Sequence, residues 1–233
     1  MKVSKDRILT THVGSLPRSE KVFKLIFARE AGEELDKNDY EKVIADAVKT
    51  VVIKQEEAGI DIVSDGEQSK ISYATYIKYR LNGFEGDSPR RTPMDLEEYP
   101  EFSARASKSG GVPTFNRPRC TGEVSVKDTR PLEIDLENFQ NALHEKDVAD
   151  AFMNAASPGV IAQFQPNDYY TDHRSYLFAL AEAMKAEYEG IAKAGFVIQI
   201  DSPDLALGRH CLLYTSPSPR DQRGSGMAGC GWK

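Results

Sequence analysis

The sequence is poor in cysteine, in net positive charge and in long apolar runs. Its 233 residues include three cysteines, too few and too scattered for a disulfide framework, which favours a reducing compartment. The formal net charge of −6 gives no general attraction to nucleic acid or to anionic lipid. No apolar run is long enough to span a bilayer, and residues 1–9 contain no apolar region like that of a signal peptide. We therefore expect a cytoplasmic protein with no nucleic-acid partner and no membrane partner.

What the sequence does contain is one pattern that occurs twice: a helical period, an Ala-Gly pair, a short apolar run and then acidic residues. In one copy the apolar run is 60–63 and the acid is Glu67; in the other they are 196–200 and Asp201. This order predicts helix, turn, buried strand and acid, and hence an α/β fold. Because the carboxyl ends of parallel strands carry the chemistry in such folds, we expect Glu67 and Asp201 to face one mouth. Each acid alone is equally consistent with a helix cap or a loop.

Alternating periods extend this pattern along the chain, whose 40% hydrophobic and 28% charged content is globular. The predicted helices are 38–58, with Asn38 and Glu41 as a capping pair, then 71–81, one or two helices within 135–156, and 177–191. The predicted strands are 8–12, 60–64, 122–126, 159–164 and 196–200. The spacing fits the βα repeat of a (β/α)8 TIM barrel better than an antiparallel sheet. Since only five strands are counted, we expect the barrel to be incomplete, with about the first five βα units; the chain is also slightly short of the about 250 residues that such barrels typically need.

Two further segments are candidates for ligand contact. A Gly14-Ser15 turn lies between a predicted strand and a helical pattern, and amides at such a turn can hold a carboxylate or phosphate, although Gly14 is equally a common turn residue. The guanidinium of Arg119 could clamp a planar or carboxylated ligand, or lie on a solvated loop. Before Arg119, segment 82–118 is rich in Gly, Pro and Ser and is predicted as a loop or hairpin that covers the strand ends.

The last part of the chain does not follow the alternating pattern. From Cys211 to Lys233 no helical or strand period is visible, and the run resembles translated sequencing-adapter sequence. We expect one domain over residues 1–210, interrupted near His210, and a non-native or disordered tail over 211–233.

Three separated segments resemble a known family when they are taken in order. They are Thr10-Thr11-His12-Val13-Gly14-Ser15-Leu16-Pro17, Asp65-Gly66-Glu67 and Ile198-Gln199-Ile200-Asp201-Ser202-Pro203-Asp204-Leu205-Ala206. They are similar to the carboxy-terminal catalytic barrel of cobalamin-independent methionine synthase and its single-domain relatives, over about residues 8–210. The Arg119-Cys120 pair also resembles an Arg-Cys pair that the family carries on its third strand.

The resemblance implies a 5-methyltetrahydropteroyltriglutamate-homocysteine S-methyltransferase-like activity, which transfers a methyl group from 5-methyltetrahydrofolate to homocysteine and gives methionine. It also implies residue roles: the substrate carboxylate would be held by Val13, Gly14 and Ser15, the ammonium by Glu67 and Asp201, and the folate donor by Arg119 and Cys120. Two acids around one ammonium are physically sensible, since a desolvated cation needs compensating charge. In single-domain relatives the methyl donor need not be a folate.

The resemblance implies zinc as well, because the family activates the thiol with a zinc ion held by His, Cys, Glu and Cys on later strands. Those strands are missing here, and His210-Cys211 lacks the family's one-residue spacing, so we expect no metal site and no activity in this chain. His12, His144 and His173 are expected at the surface or in packing. The alternatives are a coenzyme-M-type thiol transferase, a uroporphyrinogen decarboxylase-like enzyme, or a non-catalytic amino-acid-binding remnant. The Glu67 and Asp201 pair favours an amino-acid thiol over a sulfonate thiol.

Overall fold

The structure is a computed structural model that describes residues 2–88, 99–109 and 117–205. The chain divides into two compact units, residues 1–88 with 114–201 and residues 89–113 with 202–233. The helices are α1 (Glu20–Glu30), α2 (Lys37–Glu57), α3 (Pro100–Ser109), α4 (Arg130–Leu143), α5 (Pro158–Phe164) and α6 (His173–Lys193), with a 3-10 helix at Thr75–Tyr79. The strands are β1 (Ile62–Ser64), β2 (Leu81–Glu85), β3 (Arg119–Val126), β4 (Asp150–Ala156) and β5 (Val197–Asp201). Helix α3 belongs to the second unit, and the other elements belong to the first.

A parallel sheet of order β1-β4-β5 organises the first unit. Ser64 pairs with Phe152, and Ala156 pairs with Asp201, so the ends of the three strands lie at one edge. Helices α5 and α6 connect β4 to β5, as a parallel pair requires. The mixed α/β class predicted from the sequence is therefore correct.

The repeated pattern of helix, Ala-Gly, strand and acid is confirmed in both copies. Helix α2 is followed by its C-cap Ala58 and α6 by its C-cap Ala194, and the glycine after each cap has a positive φ, as a turn after a helix favours. Helix α2 begins at Lys37 with Asp36 as its N-cap, so the predicted Asn38 capping pair is wrong. The Asp36 carboxylate accepts a hydrogen bond from the Asp39 N–H at 2.8 Å, which satisfies one of the free amides of the first turn.

The predicted strand at 159–164 is wrong, because this segment is helix α5. Ser157 caps the helix by accepting from the Val160 N–H at 3.0 Å, and Pro158 occupies the first turn, where its missing N–H costs nothing. The strand lies just before it, at β4, inside the segment predicted as helix 135–156. Six of the seven β4 residues are buried, so the strand shows no alternation of polar and apolar residues that would separate it from a buried helix.

The predicted strand at 8–12 forms no regular ladder. The Thr10 carbonyl accepts from the N–H groups of Asp61 (3.2 Å) and Ile62 (3.1 Å), so this segment lies beside β1. The predicted strand 122–126 exists as the longer β3, which pairs antiparallel with β2 in a separate two-stranded sheet. Arg119 and Cys120, at the start of β3, therefore lie outside the three-stranded parallel sheet.

Other predictions are met in part. The helix expected at 71–81 is reduced to the 3-10 helix. Segment 82–118, expected as a loop or hairpin, includes most of β2 and all of α3, while 89–98 and 110–116 lie outside the described residues. The predicted boundary at residue 210 and the tail 211–233 also lie outside them. In the part of the chain that the structure describes, no helix is both long and apolar enough to cross a membrane.

Candidate functional site

Four segments that are far apart in the sequence meet at the carboxyl edge of the parallel sheet. The Ser15 hydroxyl donates to Glu67 Oε2 at 2.7 Å. The Asn154 side-chain Nδ2 donates to Glu67 Oε1 at 2.7 Å and to Asp201 Oδ2 at 2.9 Å. Ser15, Glu67, Asn154 and Asp201 thus form one hydrogen-bonded chain, so the structure brings together the turn and the two acids that the sequence analysis singled out.

The Gly-Ser turn reaches this edge because its flanking residues follow β1. The Thr11 hydroxyl donates to the Ile62 carbonyl at 2.8 Å, and the Leu16 N–H donates to the Gly66 carbonyl at 3.1 Å. Between these two attachments Gly14 has a φ of +88°, a conformation that L side chains rarely adopt. The turn therefore depends on glycine at this position.

The backbone that carries Glu67 is strained. Glu67 has a φ of 55°, in the left-handed region that costs a residue with a side chain on the order of 1–3 kcal/mol. Arg18 holds this turn from outside, since its guanidinium donates to the carbonyls of Glu67 (2.6 Å) and Lys70 (2.7 Å). Burial lowers the pKa of Arg18, and the charge of Glu67 opposes this shift. Strained residues of this kind are concentrated at functional sites.

Both carboxylates are held by donors but keep the capacity to accept more. Glu67 is only 2% exposed, and Asp201 is half-buried. Gln199 Nε2 donates to Asp201 Oδ1 at 2.9 Å, so each of the four carboxylate oxygens accepts one hydrogen bond from the protein. A carboxylate offers about four lone-pair sites. The arrangement can therefore accept a small cation with several N–H groups.

A buried polar network adjoins the acid pair. Lys70 Nζ donates to the Asn154 carbonyl at 2.5 Å and lies 4.5 Å from the ring centroid of Tyr76. Burial raises the pKa of the Asp65 carboxyl, and the charge of Lys70 opposes this shift. The Tyr76 hydroxyl donates to Glu187 and accepts from the Ala156 N–H at 3.2 Å, which ties the network to the end of β4.

The surroundings of Val13 and Ser15 limit how their side chains could bind a substrate carboxylate. Val13 is 69% exposed, so only its backbone is suited to hold a carboxylate. The single proton of the Ser15 hydroxyl is donated to Glu67, and a substrate carboxylate would have to compete for it. The backbone N–H groups of the turn are the better anion donors.

Arg119 and Cys120 lie at the start of β3, where the structure gives each a partner that the sequence analysis did not name. Arg119 makes a bidentate ion pair with Asp168, with one contact at 2.6 Å, and this pairing raises the pKa of Arg119. Cys120 is fully buried, its thiol donates to the Gly122 carbonyl at 3.5 Å, and burial raises its pKa. Such a thiol is inert rather than nucleophilic.

Asn154 is the residue of the site that sequence reasoning missed. It lies in β4, which was predicted as helix, so nothing placed it at the end of a parallel strand. Only the strand register in the structure shows that Asn154 belongs to the site: Asn154 pairs with Gln199, two residues before Asp201. Among residues 2–88, 99–109 and 117–205, no group of three or more His, Cys, Asp or Glu side chains could hold a metal ion.

Comparison with known proteins shows which sequences and folds the chain is similar to. A family model described as the catalytic domain of cobalamin-independent synthase matches residues 8–90. The methionine synthase of Sulfolobus acidocaldarius is 28% identical over 195 residues, which are 83% of this chain and 51% of the relative. That of Saccharolobus solfataricus is 25% identical over 84% of this chain and 53% of the relative. The chain spans about half the length of the curated relatives it matches.

Solved structures show the same fold. A B12-independent methionine synthase from a Shewanella species, in complex with selenomethionine, has a TM-score of 0.57 and 21% identity, and the match covers 73% of this chain and 45% of that one. A putative B12-independent methionine synthase from Listeria monocytogenes has a TM-score of 0.56 and 21% identity, over 84% of this chain and 53% of that one. At this identity the likeness speaks for the fold alone. Together, the comparisons lead to one conclusion: the chain is similar to cobalamin-independent methionine synthases, through the family model over residues 8–90 and through the curated relatives over more than four fifths of its length.

Proposed function

We propose that this chain carries the amino-acid-binding part of an enzyme that transfers a methyl group from 5-methyltetrahydrofolate to the sulfur of homocysteine. The observation that supports it most is the pair formed by Glu67 and Asp201, whose carboxylates share one amide nitrogen. Two carboxylates at one point suit a single ammonium group, since a desolvated cation needs opposite charge. The Shewanella neighbour was solved with selenomethionine, so an amino acid of that shape is the ligand to test first.

Each candidate residue has a role in this proposal. Glu67 and Asp201 bind the ammonium of the amino acid, and the backbone N–H groups of residues 13–15 bind its carboxylate. Arg119 and Cys120 contact the folate donor, Arg119 through its half-exposed guanidinium and Cys120 through its backbone, because the thiol is buried.

The whole protein is proposed to be a cytoplasmic enzyme on a (β/α)8 barrel, of which β1, β4 and β5 are a part. The sulfur of homocysteine reacts as thiolate, and a zinc ion supplies that activation when it is bound. The donor set that zinc needs is not offered by the described residues. We therefore propose that this chain binds the amino acid without methylating it.

Calorimetry of the full 233-residue chain with L-methionine and with L-homocysteine tests the binding proposal. Glu67→Gln and Asp201→Asn each remove one charge from the ammonium contact, and each should weaken binding about 10- to 100-fold. Glu57→Gln is the matched control, because Glu57 is exposed at the end of α2. No binding to the wild-type chain, or equal losses in all three variants, would refute the proposal. An assay with 5-methyltetrahydrofolate and homocysteine tests the other part, since turnover by this chain would contradict it.

A further inference from the structure

A single amide nitrogen separates the two acids of the site. Asn154 is 3% exposed, and its Nδ2 lies 2.7 Å from Glu67 Oε1 and 2.9 Å from Asp201 Oδ2. A primary amide has two N–H protons, so it can donate one to each carboxylate. The opposite orientation of the amide would place its oxygen against two carboxylates, and the hydrogen-bond network therefore fixes which atom points to them.

Asn154 is itself held in place from two sides. Its strand pairs in register with β5 at Gln199, and its carbonyl accepts from the buried Lys70 Nζ at 2.5 Å. Gln199 in turn donates to the far oxygen of Asp201, as Ser15 does to the far oxygen of Glu67. The amide is thus the central donor of a symmetrical arrangement, with one acid and one outer donor on each side.

We propose that Asn154 is the positioning residue of the site: it divides its two amide protons between Glu67 and Asp201 and so aims both carboxylates at one primary ammonium group. This inference deepens the proposed function and rests on it for the identity of the ligand. Without the amide, the two carboxylates face each other with no donor between them, and like charges at short distance repel. Because Asn154 is neutral, it spaces the acids without cancelling the negative charge that attracts the ligand.

A selectivity follows from this arrangement. The site should prefer α-amino acids to analogues of the same length that lack the ammonium group. When such an analogue binds, Glu67 and Asp201 remain without a cation. L-methionine and 4-(methylthio)butanoate differ in that one group. Loss of Asn154 should reduce the preference for L-methionine, whereas general damage to the fold would weaken both ligands alike.

Double-mutant cycles on the full chain test the positioning role without any ligand. Urea unfolding is measured for Asn154→Leu, Glu67→Gln and Asp201→Asn, and for each double variant with Asn154→Leu. We expect Asn154→Leu to raise the unfolding equilibrium constant at least about fivefold more in the wild-type background than beside either amide substitution. Glu57→Gln, at an exposed position, should show no such coupling.

The outcomes separate this inference from the proposed function. Additive effects of Asn154→Leu with both acid substitutions would overturn the positioning role, whether or not L-methionine binds. If the wild-type chain binds no L-methionine, the proposed function fails while the cycles still decide the role of Asn154. If Asn154→Leu does not fold, Asn154→Ser takes its place in the cycles. The serine hydroxyl has one proton and can donate to only one carboxylate, so we expect Asn154→Ser to couple to only one of the two acids. Coupling to neither acid would then count against the inference.

Discussion

At the scale of single residues, the candidate site combines strain with buried charge. Glu67 carries both, since its backbone is left-handed and its carboxylate is buried between Ser15 and Asn154. A residue in such a setting adds little to the stability of the fold; what it provides is the geometry of the site. The sequence revealed the acid but not its φ, because no local pattern distinguishes a left-handed Glu from an ordinary one.

The strain predicts an unusual order of stability for two substitutions of Glu67. Glu67→Gly and Glu67→Ala both remove the carboxylate, but only glycine adopts a φ of +55° freely. We expect the glycine variant to be more stable than the alanine variant by about 1 kcal/mol, measured by urea denaturation. Both variants should lose the binding of L-methionine. An alanine variant as stable as the glycine variant would show that the turn is not strained.

At the scale of elements, the site depends on residues 7–16 staying beside β1. The Asp61 carboxylate accepts from Arg7, from the Thr10 N–H at 2.7 Å and from the Thr10 hydroxyl at 3.0 Å, and these contacts lower the pKa of Asp61, that of Arg7 most. One acid at the entrance of the strand therefore attaches the segment that leads to the Gly-Ser turn.

This attachment should be sensitive to acid. Because the pKa of Asp61 is lower in the folded than in the unfolded chain, its contribution to stability is present above the ordinary value of about 3.9 and is lost as the pH falls below it. Asp61→Asn should therefore destabilise the protein at pH 7, and the deficit should shrink toward pH 2. Unfolding curves at both pH values provide the measurement, with the exposed Asp46→Asn as control. A deficit that does not change with pH would contradict the assignment.

Elements also show where sequence reasoning succeeds and where it fails. The α2 to β1 and α6 to β5 transitions were predictable, because an amphipathic helix, a Gly turn and an apolar run are all local signals. Strand β4 was not, because burial on both faces removes the alternation that marks a strand. The partnership of β3 with β2 depends on a pairing across a long insertion, and no local signal shows whether a strand joins one sheet or another.

At the scale of the whole molecule, a buried ion network joins helices to the sheet. Arg80, which follows the 3-10 helix, pairs with Asp135 of α4 and with Glu187 of α6, the latter at 2.7 Å, and all three side chains are buried. These two acids raise the pKa of Arg80 although burial acts against it. The network is linked to the end of β4, since Glu187 also accepts from the Tyr76 hydroxyl, which accepts from the Ala156 N–H.

Removal of the central cation should be costly. Arg80→Met leaves Asp135 and Glu187 buried without a positive partner, and we expect a loss of about 3–5 kcal/mol in the free energy of unfolding. Arg130→Met is the matched control: Arg130 also pairs with two acids, Glu133 and Glu137, but its side chain is 54% exposed, so little or no loss of stability is expected. Equal losses in the two variants, measured by urea denaturation, would show that burial does not decide the strength of these pairs.

The central claim is that distant segments meet around one zwitterion, and a crystal structure of the full chain with L-methionine tests it most directly. The account predicts the ligand's ammonium nitrogen within about 3.2 Å of both Glu67 and Asp201, with its carboxylate at the backbone of residues 13–15. A ligand whose ammonium lies away from both acids, or a site that stays empty at saturating L-methionine, would contradict it.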